Sequence, residues 1–224
     1  MRSTIMRSTV MRDCVFLVAD KNMEAAFQGF LERELFHKSM GCGLFEFDAR
    51  LDLLVGAGQN DPGLYTRGHE LLRSYQRSHR HAVIVLDEAW DGSPGAAKIE
   101  TKVRRDLEES GWERERVEVI VICPELEVWV CHDSPQVEQV LGCQKAGISL
   151  KESLVTAGFW QGRPKPDDPK AGIERVLRQV RMPRSSALFK KITSEISVKR
   201  CVDPAFERLR DALQRWFPVE EGTI

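Results

Sequence analysis

Three short segments of this chain are apolar on both faces, and each runs directly into carboxylates. They are Cys14–Asp20 (CVFLVAD), His81–Asp87 (HAVIVLD) and Arg116–Val130 (RVEVIVICPELEVWV), the last stopped as a strand by Pro124 and followed by Glu125 and Glu127. A strand with one wet face alternates apolar and polar residues, whereas a continuous apolar run suits a strand covered on both faces, as in a parallel sheet. The segments between them carry a helical period. Met23, Ala26, Phe27, Phe30, Leu31 and Leu35 recur at helical spacing, and LYTRGHELLRSYQRS and 96–110 read the same way. Strand, helix, strand, helix, strand predicts an α/β fold with a mainly parallel sheet flanked by helices.

Local signals refine this outline. Asn22 is the expected N-cap of the first helix, with Glu24 in its first turn, where the helix dipole favours an anion. LFEF and LDLLV are short strand candidates ahead of the turn-rich GAGQNDPG. Beyond residue 133 strand signals fade into helical periodicity, with Ser134-Pro135 and Asp203-Pro204 as cap and first-turn proline pairs. The expected organisation is an α/β core over 13–132 and a helical region over 133–224 packed on it. Residues 1–12, in which MRST repeats without an apolar period, read as a frayed tail or an overextended start.

Composition closes off several classes. With 30% charged residues there is no apolar run of roughly 18 residues, so no membrane span is expected, and 42% hydrophobic content is too high for general disorder. The six cysteines include no CxxC pair and follow no recognisable leader, which predicts reduced, mostly buried thiols and a cytoplasmic setting. Cys123, Cys131, His132 and Cys143 match no common zinc-finger or ribbon spacing, so zinc is not expected. RSYQRSHRH reads as a solvated helix end, and Trp112, Trp129, Trp160 and Trp216 as core or interface residues.

Net charge is -1, but it is a cancellation. Eleven Lys and Arg residues against four acids give 163–200 a charge of +7, leaving -8 for the rest of the chain. Lys165, Lys170, Arg175 and Arg178 lie in that basic stretch and are candidate nucleic-acid contacts. The acids cluster where the strands end: Asp20 with Glu24, Asp87 with Glu88 and Asp91, and Glu125 with Glu127. Parallel strands bring their carboxyl ends to one edge, which is where open α/β sheets bind ligands. Crowded carboxylates repel unless a cation neutralises them, and Mg²⁺ or Mn²⁺ prefers such hard oxygen ligands. Any one of these acids alone is better explained as a helix cap or a solvated group, and it is the three acidic strand ends together that bring a metal site level with that explanation.

The same residues carry a resemblance. FLVADKNMEAAFQGFL resembles the first motif of Toprim-like proteins, with Asp20 and Glu24 at its two acidic positions, and AVIVLDEAWDG resembles the second, an Asp-x-Asp cluster at a strand end. VIVICPELEVWV and RPKPDDPK are similar to the Pro-Glu-x-Glu-x-Trp segment and a late Pro-Lys element of the Toprim-related RloB-like and DUF4276-like group. RSSALFKKI and CVDPAFERLRDALQRWF look like the C-terminal region of the small Toprim-like component of methylation-associated phage-defence systems. The match touches most of 13–217 through short motifs. It departs from the family in having Asp20 for the usual Glu, Lys21 for the following Gly, and four residues rather than two between Asp87 and Asp91.

The resemblance implies a Toprim-like fold and a cytoplasmic, Mg²⁺- or Mn²⁺-dependent phosphodiesterase acting on nucleic acid in bacterial phage defence. In that reading Asp20, Asp87 and Asp91 hold the metal, with Glu24 and Glu88 as further ligands or water-orienting groups. Glu125 and Glu127 serve a second ion or act as a general base, and Lys21 neutralises phosphate charge. The departures equally suit a catalytically degraded module that acts as a sensor or scaffold among other defence-system proteins.

Overall fold

The computed structural model describes residues 11–56, 58, 60–131, 133–162, 165–198, 201 and 203–220. Four strands form one parallel sheet: β1 (Arg12–Val18), β2 (Leu53–Val55), β3 (His79–Asp87) and β4 (Val117–Ile122), in the order β2-β1-β3-β4. The helices that follow these strands are α1 (Lys21–Leu31) after β1, α4 (Asp61–Arg73) after β2 and α5 (Ala96–Glu109) after β3. Short α2 (Phe36–Met40) and α3 (Ala49–Asp52) lie between α1 and β2, and α6 (Glu127–Val130) follows β4. The expected α/β class is therefore the observed one. LFEF, however, forms no strand: Phe45 stacks on Phe217 at 4.8 Å and Phe47 meets Phe16 edge-on at 6.0 Å, so its aromatics anchor an irregular connection.

Alternation along β1 shows how the layers are built. Phe16 meets Phe27 of α1, with ring centroids 5.9 Å apart, while the next residue, Leu17, faces Gly68 of α4. Successive strand residues point to opposite faces, so α1 and α4 cover opposite sides of the sheet. Every residue of β4 is buried, including Glu118, whose carboxylate is neutralised by Arg104 of α5 and by Arg215 at 3.1 Å.

The rest of the chain is helical: α7 (Pro135–Val140), α8 (Cys143–Ala146), α9 (Leu150–Thr156), α10 (Pro169–Gln179), α11 (Ser186–Glu195) and α12 (Pro204–Trp216), which carries Arg215. Ser134 and Asp203 cap α7 and α12 as their sequence suggested, each accepting backbone N–H groups of the first turn. Helix α11 lies directly against α1, close enough at Gly29 that a Cβ would collide with Thr193 Oγ1 and the Lys190 carbonyl. Helix α12 covers β4 and sends Phe206 into an aromatic cluster with Phe30 and Trp129. Trp129 Nε1 donates to Asp203 Oδ1 at 2.9 Å, which ties the end of the sheet to the cap of α12.

Two details at the amino-terminal edge differ from expectation. Arg12 belongs to β1 rather than to a tail, because its guanidinium pairs with Asp52, a fully buried acid that also accepts from His79 Nε2 at 3.1 Å. Together these partners hold Asp52 down at a pKa of about 2 against its burial. His79 is thus not a solvated helix end but the buried first residue of β3, and His81 stacks on Trp216 at 4.4 Å. Residues 1–10 of the repetitive start lie outside the described residues. Among the described residues no helix is long and apolar enough to cross a membrane.

Candidate functional site

Register fixes which strand ends share a level. Val18 of β1 pairs with Val55 of β2 and Val85 of β3, and Val85 pairs with Ile120 of β4. Asp20 and Asp87 therefore lie two residues beyond a common row, and Glu125 and Glu127 follow β4 at the same edge. In the order β2-β1-β3-β4 the chain leaves β1 toward one side of the sheet and resumes at β3 on the other. The β1/β3 boundary is thus the topological switch point, where the loops diverge and a crevice opens. Asp20 and Asp87 flank that boundary.

Asp87 is the centre of the cluster. Its Oδ1 is buried without a hydrogen-bond partner among the described residues. Burial first, and then the charges of Asp61, Glu127, Asp20 and Glu125, push its pKa well above the usual carboxylate range. Asp61, at the start of α4, accepts the Asp87 backbone N–H at 2.7 Å, and burial with Asp20 nearby raises its pKa to about 6. Repulsion at this edge is relieved by protons at some positions and by bases at others. Glu125 pairs with Lys170 of α10 at 3.1 Å, and Glu127 pairs with Arg184, from the connection between α10 and α11. Five carboxylates thus face two basic side chains, too few to neutralise them all.

Several expected ligands have other employment. Asp20, not Asn22, caps α1, accepting the Met23 N–H at 2.8 Å, because the helix begins at Lys21, two residues earlier than the helical period suggests. Glu24 pairs with Lys21 at 2.8 Å on the exposed first turn, which accounts for both without phosphate. Glu88 turns back to the amino end of α5, accepting from Ala96 N at 3.1 Å, since Gly95 offers no capping side chain there. Asp91 lies exposed in the turn before α5, as the four-residue spacing carries it past the strand end. In the basic stretch, Lys165 pairs with Asp203 at 3.4 Å, Lys170 with Glu125, and Arg178 with Glu174 at 3.8 Å, while Arg175 is exposed.

Asp61 is the member that strand-end reading passed over. Its signal is present in Asn60-Asp61-Pro62, since LDLLV is itself a parallel strand and its first downstream helical acid must reach the same edge. The donor chemistry, all carboxylate oxygen, suits a hard cation. Among the described residues, however, no three His, Cys, Asp or Glu side chains are gathered as a ready metal-binding group. The cysteines are free thiols, with Cys131 pushed up to about 12 by burial, and His132 lies outside the described residues. Comparison of the chain with protein-family models, curated proteins and solved structures returned no match.

Proposed function

We propose that the carboxyl edge of the sheet is a divalent-cation site, with Asp87, Asp61 and Asp20 as its oxygen donors, and that it serves phosphodiester hydrolysis on nucleic acid. The observation that carries this reading is the buried, unpartnered Asp87 Oδ1 among four other carboxylates at a topological switch point. Mg²⁺ or Mn²⁺ held there would polarise a phosphodiester and lower the pKa of a water molecule. The protein's own groups do the rest. Asp87 and Asp61, whose pKa values burial raises, offer carboxylates that a cation would hold in their ionised form, and Glu125 and Glu127 extend the acidic wall. The exposed face of α10, with Arg175 and Arg178, adds positive charge for a polyanion.

Calorimetric titration with Mn²⁺ tests the reading directly. Wild-type protein is expected to bind the ion, and Asp87→Asn, which keeps the size of the side chain, is expected to lose most of that binding. No binding by wild type, or equal binding by the variant, refutes it.

A second reading has its own support: Asp20 is used as a helix cap, and Glu125 and Glu127 are already neutralised by Lys170 and Arg184. On that basis the edge is structural, and the chain is a degraded Toprim-like module within a multi-protein defence complex. Protein that cleaves neither DNA nor RNA with Mn²⁺ present, yet co-elutes with a methylase or ATPase, decides for it.

A further inference from the structure

Lys170 and Arg184 come from the basic stretch of the sequence, yet both reach back into the acidic edge. Lys170 Nζ sits 3.1 Å from Glu125 Oε2, and Arg184 pairs with Glu127. The two bases serve one acidic group: Glu125, in hydrogen-bond contact, and Glu127 raise the pKa of Lys170. Their exposure separates them from ordinary buried counterions. The Glu125 and Glu127 side chains are 12% and 4% exposed, whereas those of Lys170 and Arg184 are 48% and 33% exposed. Each ion pair thus joins an inward acid to a base with one side in water. The Arg184 guanidinium pairs with Glu127 and lies 5.3 Å from the centre of the Phe189 ring, yet it has donors to spare, and with the Lys170 ammonium it makes a phosphate clamp once the carboxylate partners are satisfied elsewhere.

We propose that Lys170 and Arg184 are the phosphate-binding groups of this edge, and that they exchange partners. In the cation-free protein they neutralise Glu125 and Glu127. With a divalent cation among the carboxylates, its two positive charges weaken the hold of Glu125 and Glu127, and Lys170 and Arg184 turn toward a nucleic-acid phosphate. The inference rests on the cation reading above and adds to it a coupling: cation and phosphodiester bind cooperatively, because two side chains serve first one charge partner and then the other. The coupling is reciprocal, so a bound polyanion also tightens the cation.

The test measures two affinities on the full chain: Mn²⁺ by calorimetry, and a fluorescein-labelled single-stranded DNA oligonucleotide by anisotropy with and without saturating Mn²⁺. For wild type, Mn²⁺ is expected to tighten oligonucleotide binding on the order of tenfold. In Lys170→Gln with Arg184→Gln, Mn²⁺ binding is expected to be equal or tighter, because competing counterions are gone, while the enhancement disappears. The slope of log K against log salt is expected to fall by about 1.4, as about 0.7 is lost per single-strand phosphate contact. Lys170→Arg, which keeps the charge, is expected to retain the enhancement, and it guards against a double variant that is merely misfolded. Enhancement that survives in a double variant with normal Mn²⁺ binding overturns the exchange but leaves the cation reading intact. Weaker Mn²⁺ binding in the double variant also overturns it, by making the pairs supports of the site. A wild type that binds no Mn²⁺ fails both together.

Discussion

Replacing Asp61 with Asn asks whether the acidic edge is folded against its own charge. Asp61 Oδ1 accepts the Asp87 N–H at 2.7 Å, and burial with Asp20 nearby lifts its pKa from 3.8 to about 6. Between those values the folded protein keeps a proton that the unfolded chain has released, so stability falls as pH rises through the window. At about 1.4 kcal/mol per unit, the cost grows from about 0.5 kcal/mol at pH 4 to ~3 kcal/mol above pH 7. Asn at position 61 retains an oxygen acceptor for the Asp87 N–H and carries no charge, so the variant avoids that cost. It gives back about 0.3–1 kcal/mol by removing an anion from the first turn of α4. The expected net effect at pH 8 is a gain of ~2 kcal/mol, or a melting temperature higher by about 4–8 °C in a chain of this size. Near pH 4 the two proteins should melt within about 2 °C of each other. Thermal unfolding followed by circular dichroism, in chelator-treated buffer at both pH values, measures this. A variant no more stable than wild type at pH 8, or equally stabilised at both, refutes the account of the edge.

Proton release should accompany cation binding. The apparent Mn²⁺ affinity is expected to rise with pH through about 6 as Asp61 gives up its proton, and the calorimetric heat should vary with the buffer's ionisation enthalpy. A flat affinity from pH 5 to pH 8 contradicts it. On the opposite side of the molecule, Gly29→Ala places a methyl group against Thr193 Oγ1 and the Lys190 carbonyl, where α1 and α11 touch. Overpacking there is expected to cost about 1–3 kcal/mol, visible as a lower urea midpoint with an unchanged slope, and an unaltered midpoint would show that the two helices separate freely.

What could be read from sequence follows the range of the interaction. β1, β3 and β4 were legible because each contains a continuous apolar run (14–18, 82–86 and 119–122), and that property belongs to a single short segment. The caps at Ser134 and Asp203 were legible for the same reason, since cap and partner lie within a few residues. Arg12 and His79 were misread because their common partner, Asp52, lies 40 and 27 residues away, and no period along the chain encodes that pairing. Lys170 was singled out as a nucleic-acid contact from its charged stretch, and composition cannot say that its segment folds back 45 residues to Glu125. The convergence of acids was legible from parallel topology alone. Its membership was not: Asp61 enters and Asp91 leaves because each position depends on where a helix begins after its strand.

The C-terminal helices therefore do more than shield the sheet. Burying an acid without a partner costs several kcal/mol, and removing one member of such a pair typically costs about 3–5 kcal/mol. Glu125 and Glu127 lie at the end of β4 and are both buried, and their counterions come from α10 and from the connection to α11. The sheet edge and the basic stretch thus depend on each other: the edge is tolerable because the stretch returns to it, and the stretch is held in place because the edge attracts it. The sequence's near-zero net charge is the one-dimensional trace of that mutual dependence. Two bases are too few for five carboxylates, however, and burial with mutual repulsion pushes the pKa values of Asp87 and Asp61 up. An edge built only to support the fold would have no need to keep Asp87 Oδ1 buried without a partner, since a shorter or apolar residue there would remove the cost. That unpartnered buried oxygen is the physical reason for proposing a ligand at the edge.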